Sequence, residues 1–98
     1  MERLFFEWDS KKDIANIEKH QVSFSEAQTV FYDQDAIMIF DEGHSEDEDR
    51  FLLLGMSSKY NILIVCHCYR FIFNGEEHIR IISARKADKE EAKQYFER

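Results

Sequence analysis

The sequence predicts an α+β fold, an antiparallel β-sheet of about four to five strands with two helices before it and one after it. Three observations carry this. Apolar residues recur at helical spacing up to residue 31 and again after residue 88. Between residues 36 and 84 they come instead in short runs and alternations. Turn signals at residues 57–61 and at Asn74-Gly75 cut that middle region into hairpin-sized pieces, and no proline interrupts any element.

Taken in order, residues 3–8 read as a first strand. Asp9 or Ser10 then caps a helix whose apolar stripe is Ile14, Ala15 and Ile17. Ser23 and Glu26 have the spacing of a capping box, with Val22 and Ala27 placed to touch across it. Phe24, Ala27, Val30 and Phe31 continue at helical spacing, which makes a second short helix. Residues 36–40, 50–56 and 62–69 read as strands, and residues 71–73 extend the last of them to the Asn74-Gly75 turn or form an exposed apolar patch. Alternation places Val65, His67 and Tyr69 on one face of that strand, and Ile64, Cys66, Cys68 and Arg70 on the other. Residues 77–84 return antiparallel with apolar side chains on both faces, as a covered central strand requires. Asp88 and Glu91 cap a final helix that turns Ala92, Tyr95 and Phe96 to the core.

Ninety-eight residues make one domain, residues 1–98, with enough apolar content for a core that needs neither metal nor disulfide. There is no run of 18 apolar residues, and the N-terminal stretch is too acidic for a signal peptide, so a cytoplasmic protein without membrane contact is expected. Cys66 and Cys68 read as reduced core residues, because successive strand side chains make a poor disulfide or metal site. No Gly-rich phosphate loop, zinc spacing or Gly-x-Ser-x-Gly elbow is present, and no cofactor is called for.

The net charge of −7 speaks at first against nucleic acid as a ligand. Its distribution weakens that objection. Asp41, Glu42, Glu46, Asp47, Glu48 and Asp49 crowd one loop with no base among them, and without them the chain is close to neutral. Residues 78–88 contain His78, Arg80, Arg85 and Lys86 on or beside an apolar strand, a setting that suits an anion such as phosphate.

The chemically suggestive set is Arg50, His67, Arg80 and Arg85. In a meander these side chains converge near one edge of the sheet, which fits metal-independent RNA cleavage. Histidine would deprotonate a ribose 2′-hydroxyl for attack on the adjacent phosphorus, and guanidinium groups would stabilise the phosphorane. Alternation sets Arg80 and Arg85 on opposite faces unless a bulge intervenes, so one of them is expected to hold the sheet to a helix while the other meets RNA. On the first helix Lys12, Lys19 and His20 are placed to follow a phosphate backbone, or else form a solvated face. His44 with the acids around it matches no calcium loop and reads as a solvent loop.

Glu7-Trp8-Asp9, Lys12, Asn16 and Lys19-His20 lead into Val22-Ser23-Phe24, Glu26-Ala27, Val30-Phe31 and Asp33. Asp41, His44, Arg50 and Gly55 follow, then Arg80 to Ala87 and Tyr95. This pattern resembles the BrnT-type toxins of bacterial type II toxin–antitoxin systems over nearly the whole chain. The resemblance implies a RelE-like ribonuclease fold, RNA cleavage that inhibits translation, and neutralisation by a cognate BrnA-like antitoxin. That antitoxin would carry a ribbon-helix-helix part through which the complex reaches operator DNA. It implies functional roles for Arg50, Arg80 and Arg85, and for His67 and Lys12 after them. Gln21 stands where such sequences commonly have glycine, so a left-handed backbone is expected there at some cost. The readings set against an enzyme are a non-enzymatic subunit that complexes with a DNA-binding repressor, and a small structural adaptor.

Overall fold

The structure is a computed structural model and describes residues 3–98. Strand β1 (Arg3–Glu7) leads into α1 (Ser10–His20) and α2 (Phe24–Ala27), which a 3-10 helix (Gln28–Tyr32) continues. Strands β2 (Ile37–Phe40), β3 (Phe51–Met56), β4 (Ile62–Phe73) and β5 (Glu76–Lys86) form the meander, and α3 (Lys89–Phe96) closes the chain. The sheet order is β1-β5-β4-β3-β2. All neighbours are antiparallel except β1 and β5, which run parallel, so the sheet is mixed rather than wholly antiparallel. A strand that enters from the far end of the chain has no hairpin to dictate its direction, and β1 takes the edge that β5 leaves open.

Local chemistry sets the element ends. The Asp9 carboxylate accepts from the amides of Lys11 and Lys12, and Asp88 and Glu91 form a complete capping box at α3. At α2 only half of the predicted box forms, with the Ser23 hydroxyl accepting from the Glu26 amide. The Glu26 carboxylate turns away and accepts from Ser57 at 2.6 Å and Asn61 at 2.9 Å, which ties α2 to the β3–β4 turn. Gln21 does end α1 in the left-handed region, at φ 57°. Asn74 and Gly75, at φ 56° and 80°, make the hairpin turn whose twist matches its strands.

Two clusters fill the faces of the sheet. On the first, Val22, Phe24, Ala27 and Val30 lie over Leu53, Leu63, Val65, Ile81 and Ala84, all buried. Each large side chain so placed contributes roughly 1.5–3 kcal/mol. On the second, Leu54 and Ile64 pack under Tyr95 of α3. Because α3 has only eight residues, it covers part of this face and leaves the rest as an open groove.

The apolar stripe predicted for α1 is not its buried face. Ile14 and Ile17 are exposed, and Asn16 is the buried residue. The helix lies beside the stretch of β5 that β1 does not reach. There the Asn16 carboxamide stands in for a strand: it accepts from Ala84 N at 3.1 Å and donates to Ala84 O and Val22 O, both at 2.8 Å. Polar capture of an open edge overrides the weak apolar stripe. Phe96 is likewise exposed rather than core-facing, while Tyr95 is buried. Residues 71–73 prove to be both things the sequence allowed. They pair with residues 76–78, and Phe71, Ile72 and Phe73 remain exposed.

Candidate active site

The uncovered part of the second face is where the basic residues gather, and a backbone irregularity puts them there. Along β4 and β5 the register runs Cys66 opposite Ser83, then His67 opposite Ile81, which leaves Ile82 as an extra residue. Alternation alone would separate Arg80 from Arg85. The bulge resets it, so Arg85 opposite Ile64 and Arg80 opposite Cys68 share one face. Arg50 comes to the same side beside Cys66. A groove of about 320 Å³ is lined by Asp41, His44, Arg50, Cys66, Ser83 and Arg85, with Leu52 and Ile82. A neighbouring hollow adds His20 beside Cys66, Ser83 and Arg85, because α1 ends at the free edge of β5.

Each basic group has its own setting. Arg85 grips Glu91 with both ends of its guanidinium, at 2.7 and 2.9 Å. That grip is the main reason the Glu91 carboxyl is pulled down to about 2 and Arg85 is pushed up. Arg85 is therefore the residue that holds the sheet to a helix, while half its side chain still faces the groove. Arg50 lies 3.7 Å from Glu48, an open contact at the surface. Arg80 is half-buried and, with Arg70 and Glu48, acts on the Cys68 thiol. Burial pushes both thiols up, which keeps them protonated and poorly nucleophilic.

The acidic loop is ordered at its base. The Arg50 amide donates to the Ser45 hydroxyl at 3.0 Å, and the Asp41 amide donates to the Arg50 carbonyl at 2.8 Å. Within it His44 Nδ1 sits 3.1 and 3.2 Å from the two oxygens of Asp41. The pair leaves Nε2 for a ligand, on a side chain that is mostly exposed. As a sequence, this histidine reads as part of a solvent loop. The Asp41-to-His44 spacing of three residues was the signal that marks it as an oriented imidazole.

His67 is placed elsewhere. It lies on the first face, opposite Phe51 and Ile81, with no exposed surface. Rings of Phe31 and Tyr69 meet it edge-on at 4.7 and 5.4 Å. Burial drives its imidazole down to about 4, against a single contact to the Val65 carbonyl. The structure therefore does not bring His67 together with Arg50, Arg80 and Arg85: it lies in the core, on the opposite face of the sheet. Lys12 and Lys19 stay exposed on α1, and of the helix residues singled out it is His20 that lines the hollow beside the groove. His78 is stacked between Phe5 and Phe71 at 4.6 and 3.9 Å.

A family model described as the ribonuclease toxin BrnT of type II toxin–antitoxin systems matches residues 8–91. No curated protein sequence matches the chain. Among solved structures, the crystal structure of the Brucella abortus ribonuclease toxin BrnT is similar in fold, with a TM-score of 0.59 and 22% identity. The alignment covers 88% of this chain and 97% of that one. The family match runs from Trp8 to the capping residue of the last helix and so takes in α1, α2, the whole meander and the groove: the chain belongs to the BrnT family of ribonuclease toxins of type II toxin–antitoxin systems.

Proposed function

We propose that this chain cleaves RNA in the groove on the second face of the sheet, without a metal ion, and that the cleavage inhibits translation. The observation that carries the reading is the bulge at Ile82, which sets Arg80 on the same face as Arg85, whose groove Arg50 and the Asp41–His44 pair also line. Three guanidinium groups suit a phosphodiester, whose charge grows as the 2′-oxygen adds to phosphorus. Imidazole is the side chain that takes and returns a proton near neutral pH, and Asp41 fixes the ring of His44 for that task. His20 lines the hollow that adjoins this groove, and Lys12 and Lys19 on α1 follow the RNA backbone from there. The reaction would leave a 2′,3′-cyclic phosphate and a 5′-hydroxyl.

As a toxin of this class the chain requires an antitoxin. We infer a BrnA-like partner whose ribbon-helix-helix part binds operator DNA, with both proteins acting in the cytoplasm. No helix among the described residues is long and apolar enough to cross a membrane. A second reading, a subunit without catalysis, draws support from Arg85 being already occupied by Glu91.

Incubation of the full chain with RNA in the presence of a chelator decides between them. Cyclic-phosphate ends are expected, and a 2′-deoxy residue at the cleaved position should block the cut. Intact RNA at every protein concentration would support the non-catalytic subunit, and 3′-hydroxyl ends would overturn the proposed chemistry.

A further inference from the structure

The two edges of the sheet are built differently. On β1, Arg3 and Glu7 place charge along the strand, and Arg3 is ion-paired to Glu76. Charge on an edge discourages pairing with a foreign chain. The opposite edge, β2, carries Ile37, Met38, Ile39 and Phe40, with no charge and no proline. Met38, Ile39 and Phe40 are 46, 40 and 45% exposed, and among the described residues β3 is the one strand that pairs with β2. Such a strand is a template for another.

The flanks of β2 say what that strand must look like. Asp33 and Asp35 precede it, the six acids of residues 41–49 follow it, and there is no lysine or arginine from residue 33 to residue 49. A second copy of this chain pairing antiparallel on β2 would bring each acidic loop against the 33–35 end of the other. Pairing parallel would bring loop against loop. Both arrangements join like charge to like charge. A basic segment meets the opposite situation at both ends.

The side chains on the edge also suit an extended occupant. Met38 lines a cavity of about 240 Å³ with Phe31, Leu53 and Tyr69. Phe40 meets Phe51 edge-on at 5.5 Å on the same side, and Ile39 faces the other side opposite Leu52. An added strand therefore meets Met38 and Phe40 on one face and Ile39 on the other, apolar neighbours for its alternate side chains.

We propose that β2 is a docking edge for an extended segment of a partner protein, apolar at alternate positions and bearing lysine or arginine at its ends. The inference concerns binding alone and stands apart from whether the groove cleaves RNA.

Random peptides of about twelve residues displayed on phage, long enough for one strand, are selected against the full chain. The enriched peptide is then synthesised with and without its basic residues. It is titrated against the wild type, Ile39→Lys, and the double variant Glu46→Lys, Asp47→Lys. The enriched sequences are expected to be basic and to alternate apolar residues. Binding should slow amide exchange at residues 37–40, weaken with salt, and fall about tenfold or more in either variant. Acidic or uncharged winners, binding that survives both variants, or no enrichment would overturn the proposal. If Ile39→Lys does not fold, the loop variant, changed at two exposed positions, decides alone. Sedimentation velocity on the same samples adds one more outcome: a concentration-dependent dimer dissolved by either variant assigns the edge to a second copy and overturns the proposal.

Discussion

Arg85 and Glu91 face each other fork to fork, with Nη1 2.7 Å from Oε1 and Nη2 2.9 Å from Oε2, and so join β5 to the first turn of α3. The same Glu91 oxygen that meets Nη1 accepts from the Asp88 amide at 2.9 Å, so the ion pair and the helix cap are one unit. Glu91 is held down to about 2, first by the Arg85 hydrogen bonds. A carboxylate whose pKa is depressed on folding stabilises the fold above its ordinary value of 4.5, and that contribution is lost as pH falls from there towards 2. With the Arg85 side chain 43% exposed, solvent screening reduces it to roughly 1–2 kcal/mol. Urea unfolding at a series of pH values should show this acid-linked loss in the wild type and a smaller one in Glu91→Gln. The same variant frees Arg85 and should tighten RNA binding at low salt, as read by fluorescence anisotropy.

Arg80 and Arg85 should separate in their effects. Arg80 makes no such clamp, so Arg80→Ala is expected to lower RNA cleavage by about 10²–10³ with stability nearly unchanged. Arg85→Ala should lower both cleavage and stability. Full cleavage by the Arg80→Ala, Arg85→Ala double variant would remove both from the site.

Asn16 carries three hydrogen bonds in a buried position, two of them to Ala84. Replacing it with alanine leaves the Ala84 amide and the carbonyls of Ala84 and Val22 without that partner. Unsatisfied buried groups of this kind cost about 1–3 kcal/mol each, partly relieved by relaxation, so a loss of about 3 kcal/mol is expected in denaturant titration. Amide exchange at Ala84 should accelerate in the same variant.

His67 supplies an acid-sensitive term of its own. Its imidazole is buried neutral and held near 4, whereas in the unfolded chain it takes a proton near 6.5. Between those values the unfolded chain binds more protons, so stability falls as pH drops from 6.5 to about 4, by up to about 3 kcal/mol. His67→Phe, set among Phe31, Phe51 and Tyr69, should flatten that slope. It should also retain RNA cleavage, which separates the core histidine from the one in the groove.

Gly55 allows the 3-10 helix to lie close on the sheet. A Cβ there would stand 2.8 Å from Val30 Cγ1, 2.9 Å from Ala36 Cβ and 3.1 Å from Asp33 Oδ2. Asp33 is not free to yield, since it accepts from the Met56 amide at 2.8 Å and the Tyr95 hydroxyl at 2.6 Å. Gly55→Ala is therefore expected to cost about 1–3 kcal/mol in thermal or urea unfolding.

The element order, the caps at Asp9, Ser23 and Asp88, and the Asn74-Gly75 hairpin were all legible in the sequence, because each depends on residues within a few positions of one another. Arg50, Arg80 and Arg85 could be named for the same reason: a charged residue in or beside an apolar strand is visible without a fold. Which way they point could not. Faces of a sheet are set by pairing with residues far along the chain, and a single extra residue reverses every side chain beyond it. Ile82 is that residue here, and it brings Arg80 and Arg85 together. The same long-range pairing encloses His67 under Phe31, sends Asn16 to the open edge of β5 in place of Ile14 and Ile17, and runs β1 parallel to a strand some seventy residues away. Local chemistry determined the pieces, and the register of β4 with β5 decided which of them meet.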